Sequence, residues 1–152
     1  LTACVPYGWQ KKGETVEIPC SGSKRMNVFG IYSTNNEFYP FATEGKINSD
    51  FVINALDIFS KDLATPTVVV IDNAPIHTSN KFLAKVEQWI DSNLYVFFLP
   101  KYSPHLNLIE LLWRKIKYEW IDIKAFNSWE ELKENVTAIL NNIGTEFKII
   151  FR

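Results

Sequence analysis

Cysteine is scarce in this chain of 152 residues, where Cys4 and Cys20 are the whole complement. Two thiols at that spacing make neither a zinc-ligand pattern nor a disulfide framework. They read as reduced cysteines of an intracellular protein. No run of about 18 uninterrupted apolar residues occurs, so no membrane span is expected, and no signal peptide is visible. Internal repeats, low-complexity tracts and linker-like stretches are also missing, and a single domain over residues 1–152 is the expectation. Neither sign of charge dominates, since 16 Lys and Arg stand against 17 Asp and Glu. That balance argues against coating of nucleic acid by bulk charge and leaves room for a local basic face.

What the chain does have is apolar material. Hydrophobic residues make up 47%, and aromatics 14%, with five Trp and eleven Phe. Side chains of that size fill a core efficiently, and the length suffices for one. Residues 1–14 read as an irregular opening segment punctuated by Pro6, Gly8 and Gly13. A short strand is expected over 15–20, then a turn at Ser21-Gly22-Ser23. Residues 26–33 are rich in β-formers, and Asn35-Asn36 suits a tight hairpin turn. The return strand is 37–42, which Pro40 confines to a sheet edge.

Helix and strand signals then alternate. Ser49 is placed to cap a helix bearing Phe51, Val52, Ala55, Leu56 and Phe59 at helical spacing. Thr67 to Ile71 is a β-branched run of the kind buried on both faces in a parallel sheet. Ser79 is placed to cap a helix with Phe82, Leu83, Val86, Trp89 and Ile90 on one face. Residues 94–99 form a second apolar strand, and Pro100 and Pro104 bracket a loop. A helix after Asn107 carries Ile109, Leu112, Trp113, Ile116 and Trp120. Ser128 and Glu131 make a capping box for a last helix with Leu132, Val136, Ile139 and Leu140. The order predicts an α/β domain, a mixed sheet with helices on its faces. Trp89, Trp113 and Trp120 sit at core spacing.

Two carboxylates stand where such a fold gathers ligands. Asp72 follows the run Val68-Val69-Val70-Ile71 at the carboxyl end of a strand, where a local Asx turn is the plainer reading. Glu110 lies in the first turn of its helix, where the helix dipole and a pair with Arg114 would explain it. Oxygen ligands of this kind suit Mg²⁺, and paired ions serve in-line displacement at phosphorus.

Two longer stretches carry a family resemblance. Val69-Val70-Ile71-Asp72-Asn73-Ala74-Pro75-Ile76-His77 resembles the segment around the second acid of Tc/mariner-like transposases, most nearly the prokaryotic insertion-sequence branch. Residues 99–113, Leu-Pro-Lys-Tyr-Ser-Pro-His-Leu-Asn-Leu-Ile-Glu-Leu-Leu-Trp, resemble the segment around the third acid. The common form there is Leu-Pro-x-Tyr-Ser-Pro-x-Leu-Asn-Pro-Ile-Glu-x-x-Trp. Leu108 departs from it where Pro is usual, in a position that tolerates Leu. The 37 residues between Asp72 and Glu110 match the spacing typical of the superfamily. Val5-Pro6-Tyr7-Gly8-Trp9 with Gly13 is similar to the family's segment just after the first acid, so the resemblance covers nearly the whole chain.

The resemblance implies a ribonuclease-H-like fold and a three-acid site holding Mg²⁺ or Mn²⁺, two ions when complete. Asp72 and Glu110 are then catalytic residues and metal ligands. It implies cleavage of transposon ends and strand transfer into target DNA, by a homodimer in the prokaryotic cytoplasm, associated with the nucleoid. The family's first Asp ends the first strand, just before the Pro-Tyr-Gly-Trp segment. No Asp occurs here before Asp50, which begins a helix, while Glu14 and Glu17 read as solvated. The first strand, its Asp and a helix-turn-helix DNA-binding region are therefore expected to be absent from residues 1–152, which alone are expected not to cleave DNA.

Secondary candidates surround the acids. His77 either contacts DNA or a group behind the ligands, or caps local backbone. Asn73 and Asn107 hold loops or orient the acids. Lys101, Arg114, Lys115 and Lys117 are candidate phosphate contacts, although for each the solvated-surface reading is the plainer one. The competing function is a catalytically incomplete or domesticated domain that binds DNA or dimerises. A nuclease acting on RNA–DNA hybrids is disfavoured by the Ser-Pro-x-Leu-Asn stretch.

Overall fold

The structure, a computed structural model, describes residues 11–13, 24–101 and 103–151. The expected strand over 15–20, the turn after it and most of the opening segment lie outside these residues.

Strands β1 (Asn27–Tyr32) and β2 (Phe38–Thr43) form an antiparallel hairpin with Gly30 opposite Pro40. In its turn Asn36 takes φ 64°, a left-handed conformation that Asn tolerates better than most residues. Helix α1 (Ser49–Ser60) leads to β3 (Thr67–Ile71), and α2 (Asn80–Ile90) crosses to β4 (Leu94–Phe98). β3 and β4 are parallel neighbours, Thr67 beside Leu94 and Ile71 beside Phe98, as the two apolar runs imply. Helices α3 (Ile109–Lys115) and α4 (Trp129–Asn141) complete a mixed α/β fold. Among the described residues, no helix is long and apolar enough to cross a membrane.

Several expectations are corrected. Among the described residues the strands make two two-stranded sheets, one antiparallel and one parallel. β3 is buried on one face only: Val69 and Ile71 are inside, while Val68 is 60% exposed and Val70 48%. Tyr95 and Phe97 of β4 are exposed as well. An all-apolar run hides the two-residue alternation that would have revealed the open face. Asn48, not Ser49, caps α1, its side-chain oxygen accepting from Phe51 N at 2.9 Å. Ser49 is buried and accepts a hydrogen bond from the Ser79 hydroxyl at 3.0 Å, and Ser79 makes no capping bond to α2. Leu83 and Ile90 of α2 are exposed. The helix expected to run through Trp120 changes pitch at Ile116, where a π turn (Ile116–Trp120) is closed by Ile121 N donating to Ile116 O at 3.1 Å. Ser128 caps α4 as expected, accepting from Glu131 N at 3.1 Å.

Two apolar clusters form the core. One joins Val52, Leu56 and Phe59 of α1 to β3, Phe82, Trp89 and Leu94; the other gathers Leu112, Ile116, Ile139 and Leu140. The hairpin stands between them, because side chains alternate along a strand. Phe29 and Ile31 pack on the first cluster and Val28 and Tyr32 on the second. Trp113 and Trp120 join the second cluster, so all three tryptophans serve packing. Trp113 meets Phe38 edge to face at 6.0 Å. A Cβ on Gly30 would lie 2.5 Å from the Phe38 ring and 3.2 Å from Trp113. Glycine thus lets α3 dock on the hairpin, which fixes the helix that carries Glu110.

Candidate active site

Asp72 is the first residue beyond β3. Its Oδ1 accepts from Ala74 N at 3.1 Å, and the Ala74 carbonyl accepts from His77 N at 2.8 Å and Thr78 N at 3.2 Å. The Asx turn expected of a strand-end Asp is therefore present, and it uses one carboxylate oxygen. The Asp72 side chain stays 50% exposed.

The second motif leaves the sheet at the same place. Leu99 N donates to Ile71 O at 2.8 Å, which extends the parallel ladder by one residue. The Asn73 side-chain amide donates to the Leu99 carbonyl. The chain then passes Lys101 and a 3₁₀ turn (Pro104–Leu106). Asn107 O accepts from Glu110 N at 3.1 Å, which starts α3 with Glu110 exposed in its first turn.

Three cavities meet at these residues. One, of about 410 Å³, is lined by Asp72, Asn73, Lys101, Ser103, Asn107 and Glu110. A second, of about 360 Å³, runs between β1 and β3 and reaches Asp72, His77 and Glu110. A third, of about 520 Å³, lies beyond Glu110 with Arg114, Lys117 and Tyr118 on its wall.

The structure thus brings Asp72, Asn73, Lys101, Asn107 and Glu110 to one cavity, although two distant motifs supply them. Arg114 and Lys117 line the adjoining groove. Lys115 is apart from both, paired with Glu119 at 2.5 Å. The pair between Glu110 and Arg114 does not form, and among the described residues no ion pair reaches Glu110. His77 is buried, its Nδ1 2.8 Å from Asp72 Oδ1; it stands behind the acid, not out toward solvent. Ser103 escapes sequence reasoning, where its place between Tyr102 and Pro104 is the available signal.

The donor set fits a hard divalent cation, which takes oxygen ligands and few protein carboxylates. Among the described residues no group of three His, Cys, Asp or Glu side chains is arranged to hold a metal, so Asp72 and Glu110 could provide only part of a site.

Comparison with known proteins bears on this arrangement. The sequence model of the DDE superfamily endonuclease family matches residues 1–133. A curated relative, "Uncharacterized protein y4pE/y4sA" of Sinorhizobium fredii (strain NBRC 101917 / NGR234), is 25% identical over 84 residues, or 55% of this chain. The chain spans 58% of that relative's length. With the family match extending over most of its length, the chain belongs to the DDE superfamily endonuclease family.

Proposed function

We propose that this chain is the catalytic part of a DNA transposase of the Tc/mariner-like, prokaryotic insertion-sequence branch. It would cut transposon ends and join them to target DNA by in-line displacement at phosphorus. The observation that carries the reading is a cavity that Asp72 and Glu110 line together, beside Lys101 and Asn107. Family membership supports it.

Asp72 and Glu110 are two of three acids that would hold Mg²⁺ or Mn²⁺, and the third is to be sought beyond the described residues. When bound, two such ions activate an attacking oxygen and stabilise the leaving one. Asn107 shapes the start of α3 so that Glu110 projects into the cavity. Asn73 keeps the loop of Asp72 against the end of β4. Lys101, Arg114 and Lys117 hold the DNA backbone on either side of Glu110 through phosphate contacts that carry no sequence information. Lys115, engaged by Glu119, contributes less. A ribonuclease-H-like sheet is part of the proposal. The cavity between β1 and β3 supports it, since a further strand there would join the two sheets and end beside Asp72 and Glu110. A homodimer acting in the prokaryotic cytoplasm, on the nucleoid, completes the reading.

The second reading, a domain that binds DNA without cutting it, draws on the two-acid site. Glu110→Gln in the complete transposase separates the two. Cleavage of transposon-end DNA with Mg²⁺ should be lost while binding is kept, because the exchange preserves shape and removes the metal-holding charge. Near-normal cleavage would reduce Glu110 to a helix-start carboxylate.

A further inference from the structure

The side chain behind Asp72 has a more specific task than filling space. His77 is 8% exposed, and its ring packs against Phe29 and Phe82 at centroid distances of 6.5 and 5.9 Å. In such surroundings a Phe would pack as well. Instead a histidine stands there with its Nε2 buried and without a hydrogen-bond partner, a cost that Phe would not carry. What the histidine gains is at the other nitrogen. Nδ1 lies 2.8 Å from Asp72 Oδ1 and 3.3 Å from the Asp72 carbonyl oxygen. Both neighbours are acceptors, so Nδ1 carries the hydrogen and donates.

Asp72 Oδ1 therefore receives two donors, Ala74 N at 3.1 Å and His77 Nδ1 at 2.8 Å. Among the described residues no donor reaches Oδ2. The carboxylate cannot turn about its Cβ–Cγ bond without breaking both bonds to Oδ1. We infer that His77 is a positioning residue for Asp72: it saturates Oδ1 and so presents Oδ2 alone to the cavity, making Asp72 a single-oxygen ligand. This rests on the proposed metal site. Hydrogen bonds to a ligating carboxylate commonly govern metal affinity by 10- to 100-fold. The same geometry removes His77 as a contact to DNA phosphate, since its ring is closed off from solvent.

The test compares His77→Asn, His77→Gln, His77→Phe and Asp72→Ala with the unaltered chain. Asn places an amide donor near the position of Nδ1, whereas Gln places it near Nε2. Free Mn²⁺ is followed by electron paramagnetic resonance during titration, and thermal melting is recorded for each variant. His77→Asn should hold Mn²⁺ nearly as well as the unaltered chain, while His77→Gln and His77→Phe should bind about tenfold more weakly. Should His77→Phe not fold, the contrast of Asn with Gln decides. Long-range ¹⁵N–¹H correlation of the imidazole at mildly alkaline pH should show hydrogen on Nδ1, with that preference lost in Asp72→Ala. Equal Mn²⁺ affinity across the three His77 variants, or hydrogen on Nε2 in the unaltered chain, would overturn the inference. Mn²⁺ affinity unchanged in Asp72→Ala would instead remove the metal site itself, an outcome distinct from the imidazole result.

Discussion

Asn73 donates its side-chain amide to the main-chain carbonyl of Leu99, tying the loop that carries Asp72 to the end of the strand that leads toward Glu110. The two motifs are therefore tied together at the carboxyl ends of β3 and β4. Asn73→Ala removes the donor and leaves a half-buried carbonyl unpaired, at a cost of about 1 kcal/mol or somewhat more. A lower urea midpoint together with weaker Mn²⁺ binding is expected. An unchanged midpoint would mean that the tie carries no energy.

Gly30 sits under the Phe38–Trp113 pair, with no room for a methyl group. Gly30→Ala should cost about 1–3 kcal/mol, the range for overpacking a filled interior. Part of the loss should return when Phe38→Leu is added, since the nearest clash is with that ring. Chemical denaturation of the single and double variants measures both, and additive effects would contradict the contact.

Much of this organisation was legible in the residues. The apolar runs at 67–71 and 94–99, separated by a helical pattern, announced parallel neighbours, since a crossover helix between two strands joins them in parallel. Asn35-Asn36 announced the hairpin through its tolerance of positive φ. The open face of β3 was not legible, because Val68 and Val70 are as apolar as Val69 and Ile71. The cap of α1 went to Asn48 instead of Ser49, because both residues suit the position and only packing against Ser79 separates them. The π turn after Lys115 has no sequence signature that distinguishes it from α-helix. At the site, motif spacing singled out Asp72 and Glu110, whereas the burial of His77 depends on Phe29 from a distant strand.

Tyr32 gives a pH dependence. Its hydroxyl donates to Asn36 Oδ1 at 2.7 Å, and burial raises its pKa above the ordinary tyrosine value. The folded chain thus favours the protonated phenol. Its contribution is fully present below the unfolded pKa of about 10 and is lost as pH rises through the higher folded value. Stability measured by urea unfolding at increasing alkaline pH should fall less steeply in Tyr32→Phe. Identical slopes would show that another group governs the alkaline loss.

The basic residues around Glu110 predict a ranked response to salt. In the complete protein, Arg114→Ala and Lys117→Ala should each lower the salt dependence of DNA affinity by about one phosphate contact. Lys115→Ala should change it little, because its ammonium already pairs with Glu119. Fluorescence anisotropy over a salt series reads these slopes, and an equal effect of all three would contradict the assignment.

The central claim is that Asp72 and Glu110 serve one metal site. Selective ¹³C labelling of Asp and Glu carboxyl groups, with Mn²⁺ titration of the chain, tests it directly. The Asp72 and Glu110 signals should broaden together, at the same Mn²⁺ concentrations, and Asp72→Ala should abolish the effect at Glu110. Broadening of Glu110 that persists unchanged without Asp72 would contradict a shared site.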